Sequence, residues 1–141
     1  MRKLVLPLLL VLSLTGCTTP LGRHLGTVHD YYPIRLDNYP PTRIWADDLA
    51  ELQQIMVDLD AVRLGKELAA IDLASEIVVS VGYDGCGHSD PGLVLEGATL
   101  RVRFGTVHNR QCVRPMPSLA LFAVPRAELP DLATVELQVT D

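Results

Sequence analysis

The spacing of apolar residues changes along this chain from a helical period to a strand period. Downstream of residue 44, apolar side chains recur at intervals of four, three, four and three, at Trp45, Leu49, Leu52, Met56 and Leu59. This spacing places them on one face of a helix, which we expect to run from about Asp47 to Val57. The end of this helix stays open, because the next apolar residues alternate with aspartates as in a strand. Leu64 to Glu67, which include Gly65, are expected to form a turn.

From Glu76 onward, apolar and polar residues alternate with a period of two, which predicts strands. The expected strands lie at 77–83, 93–95, 100–104, 118–124 and 134–139. The second and third are expected to form a hairpin through a tight turn near Glu96 and Gly97, with Arg101 and Arg103 facing water. Ser118 to Val124 are apolar on both faces, which is typical of a central or doubly covered strand.

Strands so close together in sequence are expected to pair antiparallel, since parallel pairs need long crossover connections. The predicted fold is therefore mainly β: a small antiparallel β-sandwich or partly open barrel, preceded by one short helix. The immunoglobulin order of Cys, Trp and Cys is not met, because Trp45, the one tryptophan, precedes both downstream cysteines. We expect residues 44–141 to form a single domain.

The amino terminus has the organisation of an export signal. Two basic residues precede an apolar run of eleven residues, Leu4 to Leu14, which is too short to span a bilayer but typical of a signal peptide. The following Leu14-Thr15-Gly16-Cys17 resembles the lipobox of bacterial lipoproteins. The resemblance implies cleavage of residues 1–16 and acylation of Cys17. Because Thr18 rather than Asp follows, it also implies the periplasmic face of an outer membrane, or the cell membrane in a host without one.

Cleavage changes the composition of the chain that remains. Removing 16 of the 141 residues leaves 125 and takes away two basic residues, so the formal charge falls from −5 to −7. An acidic chain repels phosphate backbones, which argues against a nucleic-acid partner. Residues 17–43, with four prolines and no sustained period, are expected to form the lipid anchor and a tether. Its tyrosines at 31, 32 and 39 would either fold back over the domain or contact a partner.

Once the resemblance assigns Cys17 to a lipid, two of the three cysteines remain. Cys86 and Cys112 are then expected to form a disulfide, because the periplasm is oxidising. The segment Ser80 to Gly92 around Cys86 is rich in glycine and carries Asp90-Pro91, which favours turns. The disulfide is therefore expected to pin a corner between strands.

The same segment also carries residue types that are used in catalysis and in metal binding. His88, Ser89 and Asp90 are consecutive, so in extended chain they point apart, and no catalytic residue is predicted. A zinc or copper site could in principle use Cys86 and Cys112 with His88 and His108. With both thiols oxidised, the weaker alternative is a metal site at His88 and His108. No cofactor is expected.

The predicted function is that of a membrane-anchored envelope lipoprotein, a non-enzymatic accessory or binding module. Its partner would be another envelope protein or a polysaccharide. The candidate contact residues are Arg110, Arg114 and Met116, in a loop next to the disulfide. Two alternatives remain open: a periplasmic copper- or zinc-binding protein, and a hydrolase inhibitor that presents the Arg110–Pro117 loop.

Overall fold

The computed structural model describes residues 19–29, 42–107, 111–113 and 116–140. The predicted signal peptide, Cys17 and the three tyrosines of the predicted tether lie outside these residues. Within the described part of the chain, no helix is long and apolar enough to cross a membrane.

The described part of the chain contains seven strands, two α-helices and a short 3-10 helix, Arg126–Glu128. In chain order the strands and α-helices are β1 (Arg23–His29), β2 (Thr42–Trp45), α1 (Ala50–Asp58), α2 (Val62–Ala69), β3 (Glu76–Asp84), β4 (His88–Glu96), β5 (Thr99–Thr106), β6 (Pro117–Pro125) and β7 (Glu136–Val139). The strands form a four-stranded sheet in the order β1-β6-β3-β2 and a three-stranded sheet in the order β4-β5-β7. Over the described residues both sheets are open, so the mainly β sandwich is confirmed and the barrel alternative does not hold.

The four-stranded sheet is the middle of three layers. One face packs on the three-stranded sheet through alternate residues of its central strands, namely Ile77, Val79, Val81, Ala120, Phe122 and Val124. The other face packs on α1 and α2 through Val78, Leu119, Leu121 and Ala123. The prediction that 118–124 form a doubly covered strand is confirmed, because both faces of β6 are buried.

The helical region differs in part from the sequence prediction. The helix expected at 47–57 is present as α1, but the turn expected at Leu64 to Glu67 is wrong, because these residues belong to α2. Leu64 and Leu68 lie one helical turn apart and are both buried against the sheet. Burying each leucine contributes about 1.5–3 kcal/mol, which exceeds the cost of about 1 kcal/mol for Gly65 inside a helix.

The β4–β5 hairpin is confirmed, and Gly97 in its turn has a φ of +65°. The expectation that all strands pair antiparallel is wrong for β7, which pairs parallel with β5 from Thr99 beside Glu136 to Val102 beside Val139. The chain between β5 and β7 passes through β6 in the other sheet, and this supplies the long crossover that a parallel pair needs.

The expected tether is wrong over part of its length, because Arg23–His29 form β1 and pair antiparallel with β6. A register shift between His24 and Gly26 marks a β-bulge. A bulge adds one residue to a strand and breaks the alternation that would reveal it. The folded domain therefore begins well before residue 44.

Candidate functional site

The Cys86–Cys112 disulfide closes one end of the domain, as the sequence predicts. The Cα atoms of the two cysteines are 5.9 Å apart, a usual separation for a disulfide. Cys86 is buried in the turn between β3 and β4, whereas Cys112 lies in an exposed segment. The bond thus joins the β3–β4 corner to the chain that leads into β6.

Asp84 reinforces this corner without a covalent bond. Its Oδ1 accepts hydrogen bonds from the backbone N–H of Met116 at 3.0 Å and of Cys86 at 2.9 Å. These two N–H groups, with a smaller contribution from His88, hold the pKa of the Asp84 carboxyl below its usual value. The ionised carboxylate therefore links the same two segments that the disulfide joins.

A cleft opens beside this corner, where the inward-facing residues of the four-stranded sheet become polar. Across β1, β6 and β3, one row consists of Thr27, Ala120 and Val81. The next row outward consists of His29, Ser118 and Tyr83. An inter-sheet position is normally apolar, so this row marks the place where the dry core ends.

The cleft has a volume of about 490 Å³ and lies between this row and the start of β4. Its lining includes His29, Tyr83, His88, Ser89, Asp90 and Met116. A smaller depression lined by His24, Thr27 and Pro91 adjoins it and shares His29, Tyr83 and Asp90. Together they form a continuous polar recess at the disulfide end of the sandwich.

Hydroxyl groups and imidazoles contact one another on the floor of the cleft. Burial raises the pKa of the Tyr83 phenol, and hydrogen bonds with Thr27 and Ser118 partly offset this shift. His29 Nδ1 lies 3.3 Å from Ser118 Oγ, and His24 Nε2 lies 2.9 Å from Thr27 Oγ1. The floor thus holds its side chains in place while the recess stays open to solvent.

Three rings contact one another beside the cleft, and two of them, those of Tyr83 and His88, line it. The ring of Phe104 on β5 lies between Tyr83, at 5.2 Å between centroids, and His88, at 4.7 Å. His88 Nδ1 also lies 3.3 Å from the carbonyl oxygen of Asp84. These contacts fix the imidazole of His88 against the corner, and the rings of His88 and Tyr83 give the recess a partly apolar side.

Asp90 enters the cleft from a distortion in β4. The register of β4 with β5 shifts between Ser89 and Gly92, and Asp90 has a φ of +44°. Bulges of this kind redirect a side chain relative to its neighbours. The Asp90 carboxylate lies close enough to Tyr83 to contribute to the raised pKa of the phenol.

The residues predicted as contacts or ligands are only partly described. Met116 lines the cleft, whereas Arg110, Arg114 and His108 lie outside the described residues. The partner-contact loop and the convergence of His88 with His108 therefore remain predictions. Among the residues that the structure places, no three histidine, cysteine or acidic side chains are grouped so that they could hold a metal ion.

Arg101 and Arg103 face the outer side of the three-stranded sheet, as predicted, and both pair with Glu96. Arg103 Nη2 is 2.5 Å and Arg101 Nε is 2.7 Å from the carboxylate oxygens. The Arg101 contact is a close approach of opposite charges without the alignment of a hydrogen bond. Hydrogen bonding from Arg103, then the charges of both arginines, lowers the pKa of Glu96. This cluster largely neutralises itself on an accessible surface, so we assign it no binding role.

Sequence reasoning missed the floor of the cleft for two reasons. Tyr83 and Ser118 lie at the ends of strands that the sequence predicted. Their polar side chains at inward-facing positions were the signal that could have indicated a cleft. His29 had no such signal, because its strand was assigned to the tether. The register between distant strands, which brings the three together, is not a local property of sequence.

No family model, curated protein or solved structure matches this chain.

The hydrogen bonds of Asp84 predict a specific acid sensitivity. Because its pKa is lower in the folded than in the unfolded protein, the ionised carboxylate stabilises the fold at neutral pH. That contribution is lost as pH falls from the ordinary value of 3.8 through the folded pKa. Asp84→Asn should therefore lower the Tm at pH about 7 and show a smaller further decrease in acid. Thermal unfolding followed by circular dichroism across this range measures both.

Asp47→Asn is the matched control, because Asp47 is exposed and lies two residues beyond the end of β2. It should keep the wild-type dependence of Tm on pH. An Asp84→Asn protein with the same acid dependence as wild type would contradict the assigned role.

Proposed function

We propose that this protein is a membrane-anchored envelope lipoprotein whose domain is a non-enzymatic binding module. Its binding site is the inter-sheet cleft, and its ligand is a neutral, hydroxyl-bearing molecule, a saccharide of the cell envelope. The observation that carries the proposal is the row of His29, Ser118 and Tyr83, where inward-facing positions are polar. His29 and Tyr83 line the cleft, and Ser118 lies buried between them.

Two features support the lipid anchor. The sequence Leu14 to Cys17 follows an apolar export signal, and the disulfide uses the other two cysteines. Disulfides persist in oxidising compartments such as the periplasm. Each buried CH₂ of an acyl chain contributes about 0.8 kcal/mol, so several chains on one cysteine would hold the protein firmly.

The composition of the cleft supports a saccharide ligand. Binding sites for small molecules combine apolar or aromatic walls with a few placed polar groups. Here Tyr83, which contacts Phe104 behind it, provides ring surface, while the cleft also exposes hydroxyl and imidazole groups and the Asp90 carboxylate. A carboxylate accepts hydrogen bonds from hydroxyl groups and repels anions. A neutral polyol matches these groups better than a phosphate or a fatty acid.

The serine–histidine contact on the cleft floor favours binding over hydrolysis. Ser118 is 0 % exposed, and its hydroxyl donates to the carbonyl oxygen of Met116 at 3.2 Å. A nucleophile must reach its substrate, and Ser118 is placed to hold Met116 instead. Cys86 is oxidised in the disulfide, so it has no thiolate for attack.

The anchor predicts a specific modification. The native protein should carry acyl groups on Cys17 as its first residue and partition into detergent-rich phase, because the acyl chains dominate its partitioning. Cys17→Ser should remove both properties and leave the Cys86–Cys112 bond intact. Mass spectrometry of the amino-terminal peptide and phase partitioning measure these outcomes. An unmodified Cys17 peptide from native membranes would overturn the anchor.

The cleft predicts a second result, measured on the full mature protein in detergent. Calorimetric titration with neutral oligosaccharides should detect binding that Asp90→Asn weakens about tenfold. That loss corresponds to one charge-assisted hydrogen bond of roughly 1.5 kcal/mol. Asn tolerates a positive φ, so the variant keeps the backbone of the bulge. Tyr83→Phe, which keeps the ring and removes the hydroxyl, should also weaken binding.

Glu51→Gln is the control, because Glu51 is exposed on α1, outside the cleft lining. If Asp90→Asn and Tyr83→Phe bind the saccharide with wild-type affinity, the ligand does not bind in the cleft. The absence of binding to every saccharide tested would refute the saccharide assignment while leaving the anchor intact.

A further inference from the structure

The path from Cys17 into the folded domain is short, and this sets how the domain sits on its membrane. We propose that the domain stands with its anchor end against the lipid surface and its cleft facing away. The anchor end comprises Leu21 to Arg23, Glu76 to Val78 and Ala123 to Pro125. The inference rests on the proposed acylation of Cys17 and adds an orientation to it.

Leu21 is the first fixed point of the domain. Its side chain is 9 % exposed and packs in the inter-sheet core, and its N–H donates to the carbonyl oxygen of Leu93 at 2.8 Å. Four residue steps separate Leu21 from Cys17. An extended chain spans at most about 3.6 Å per residue, so the acylated cysteine lies within about 14 Å of Leu21. A tether of 26 flexible residues would instead have reached roughly 25–30 Å.

The strand registers place Leu21 and the cleft at opposite ends of the four-stranded sheet. Arg23 at the start of β1 lies beside Ala123, which lies beside Val78. His29 at the end of β1 belongs to the row on the cleft floor. A strand rises about 3.3 Å per residue, so about 20 Å separates Arg23 from His29. The part of the cleft lined by His29 and Met116 is therefore farther from Leu21 than the linking chain can extend, although the adjoining depression reaches back along β1 to His24.

The flanks of the domain are unsuited to lying in the lipid. The outer face of the three-stranded sheet carries the Glu96 ion-pair cluster. On the helical side, α1 exposes Glu51 and Asp58, and α2 exposes Lys66. Burying charged groups in an apolar medium is costly, so both flanks stay in water. The anchor end also carries charged residues, Arg23 and Glu76, so it would rest against the lipid headgroups without inserting, held there by the short link to Cys17.

This orientation gives the cleft a consistent role. The Asp84 corner and Val113, which is fully exposed at 101 %, would face the solvent on the side away from the bilayer. A ligand would then approach from the aqueous compartment. A polymer of the envelope meets this condition, whereas a lipid of the anchoring leaflet does not.

The orientation can be tested by measuring resonance energy transfer to labelled lipids from a dye placed at either end of the domain. After signal removal Lys66 is the one lysine of the chain, so Lys66→Arg gives a background without labelled side chains. Ala74→Lys then places an amine at the anchor end, and Gln111→Lys places one beside the disulfide; both sites are exposed. The acylated proteins carry a donor dye and are reconstituted in phosphatidylcholine vesicles that contain an acceptor-labelled headgroup lipid.

We expect strong energy transfer to the membrane from a dye at position 74 and much weaker energy transfer from a dye at position 111. The Lys66→Arg protein without an added lysine supplies the background from the amino terminus. Inserting about twelve Gly and Ser residues between Thr19 and Pro20 would lengthen the link by roughly 20 Å and should reduce transfer from position 74. Equal or greater transfer from position 111 would overturn the orientation. Proteins that carry no acyl group and do not bind vesicles would instead refute the proposed anchor.

Discussion

The structure depends on the burial of β3 and β6 on both faces. Seven consecutive residues of β6, Ser118 to Val124, are buried between the helices on one side and the three-stranded sheet on the other. Each large apolar side chain taken from water contributes about 1.5–3 kcal/mol. A two-layer sandwich would leave Leu119 and Leu121 in solvent. The helix pair is therefore a required part of the fold, and the strands of both sheets are positioned against this middle layer.

The candidate site follows from where that burial stops. Along the inner face, the apolar row of Ala120 and Val81 gives way within two residues to Ser118 and Tyr83. The disulfide and the Asp84 carboxylate link the β3–β4 corner to the chain that leads into β6. The recess therefore lies beside a rigid corner, which preserves its shape. Because β1 runs from the anchor end toward this corner, one strand links the proposed membrane contact to the proposed binding site.

The sequence predicted the features that depend on local periodicity. The strands β3 and β6 and the β4–β5 hairpin follow from alternation and from Gly97. The disulfide follows from the cysteine count once the lipobox resemblance assigns Cys17 to a lipid. The features that it missed depend on distant contacts. The bulge near Gly26 concealed β1, burial of the helix overrode Gly65, and the parallel pairing of β7 needed a neighbour from another part of the chain. The floor of the cleft needed the register of three strands.

Native-state hydrogen exchange tests the central claim, that the four-stranded sheet is the doubly covered middle of the fold. Backbone amides in Val78–Val81 and Leu119–Ala123 should be the slowest to exchange, with opening free energies equal to that of global unfolding. Amides of β7, at the edge of the three-stranded sheet, should exchange through smaller openings. A β4–β5 hairpin whose amides are protected longer than those of β3 and β6 would contradict the account.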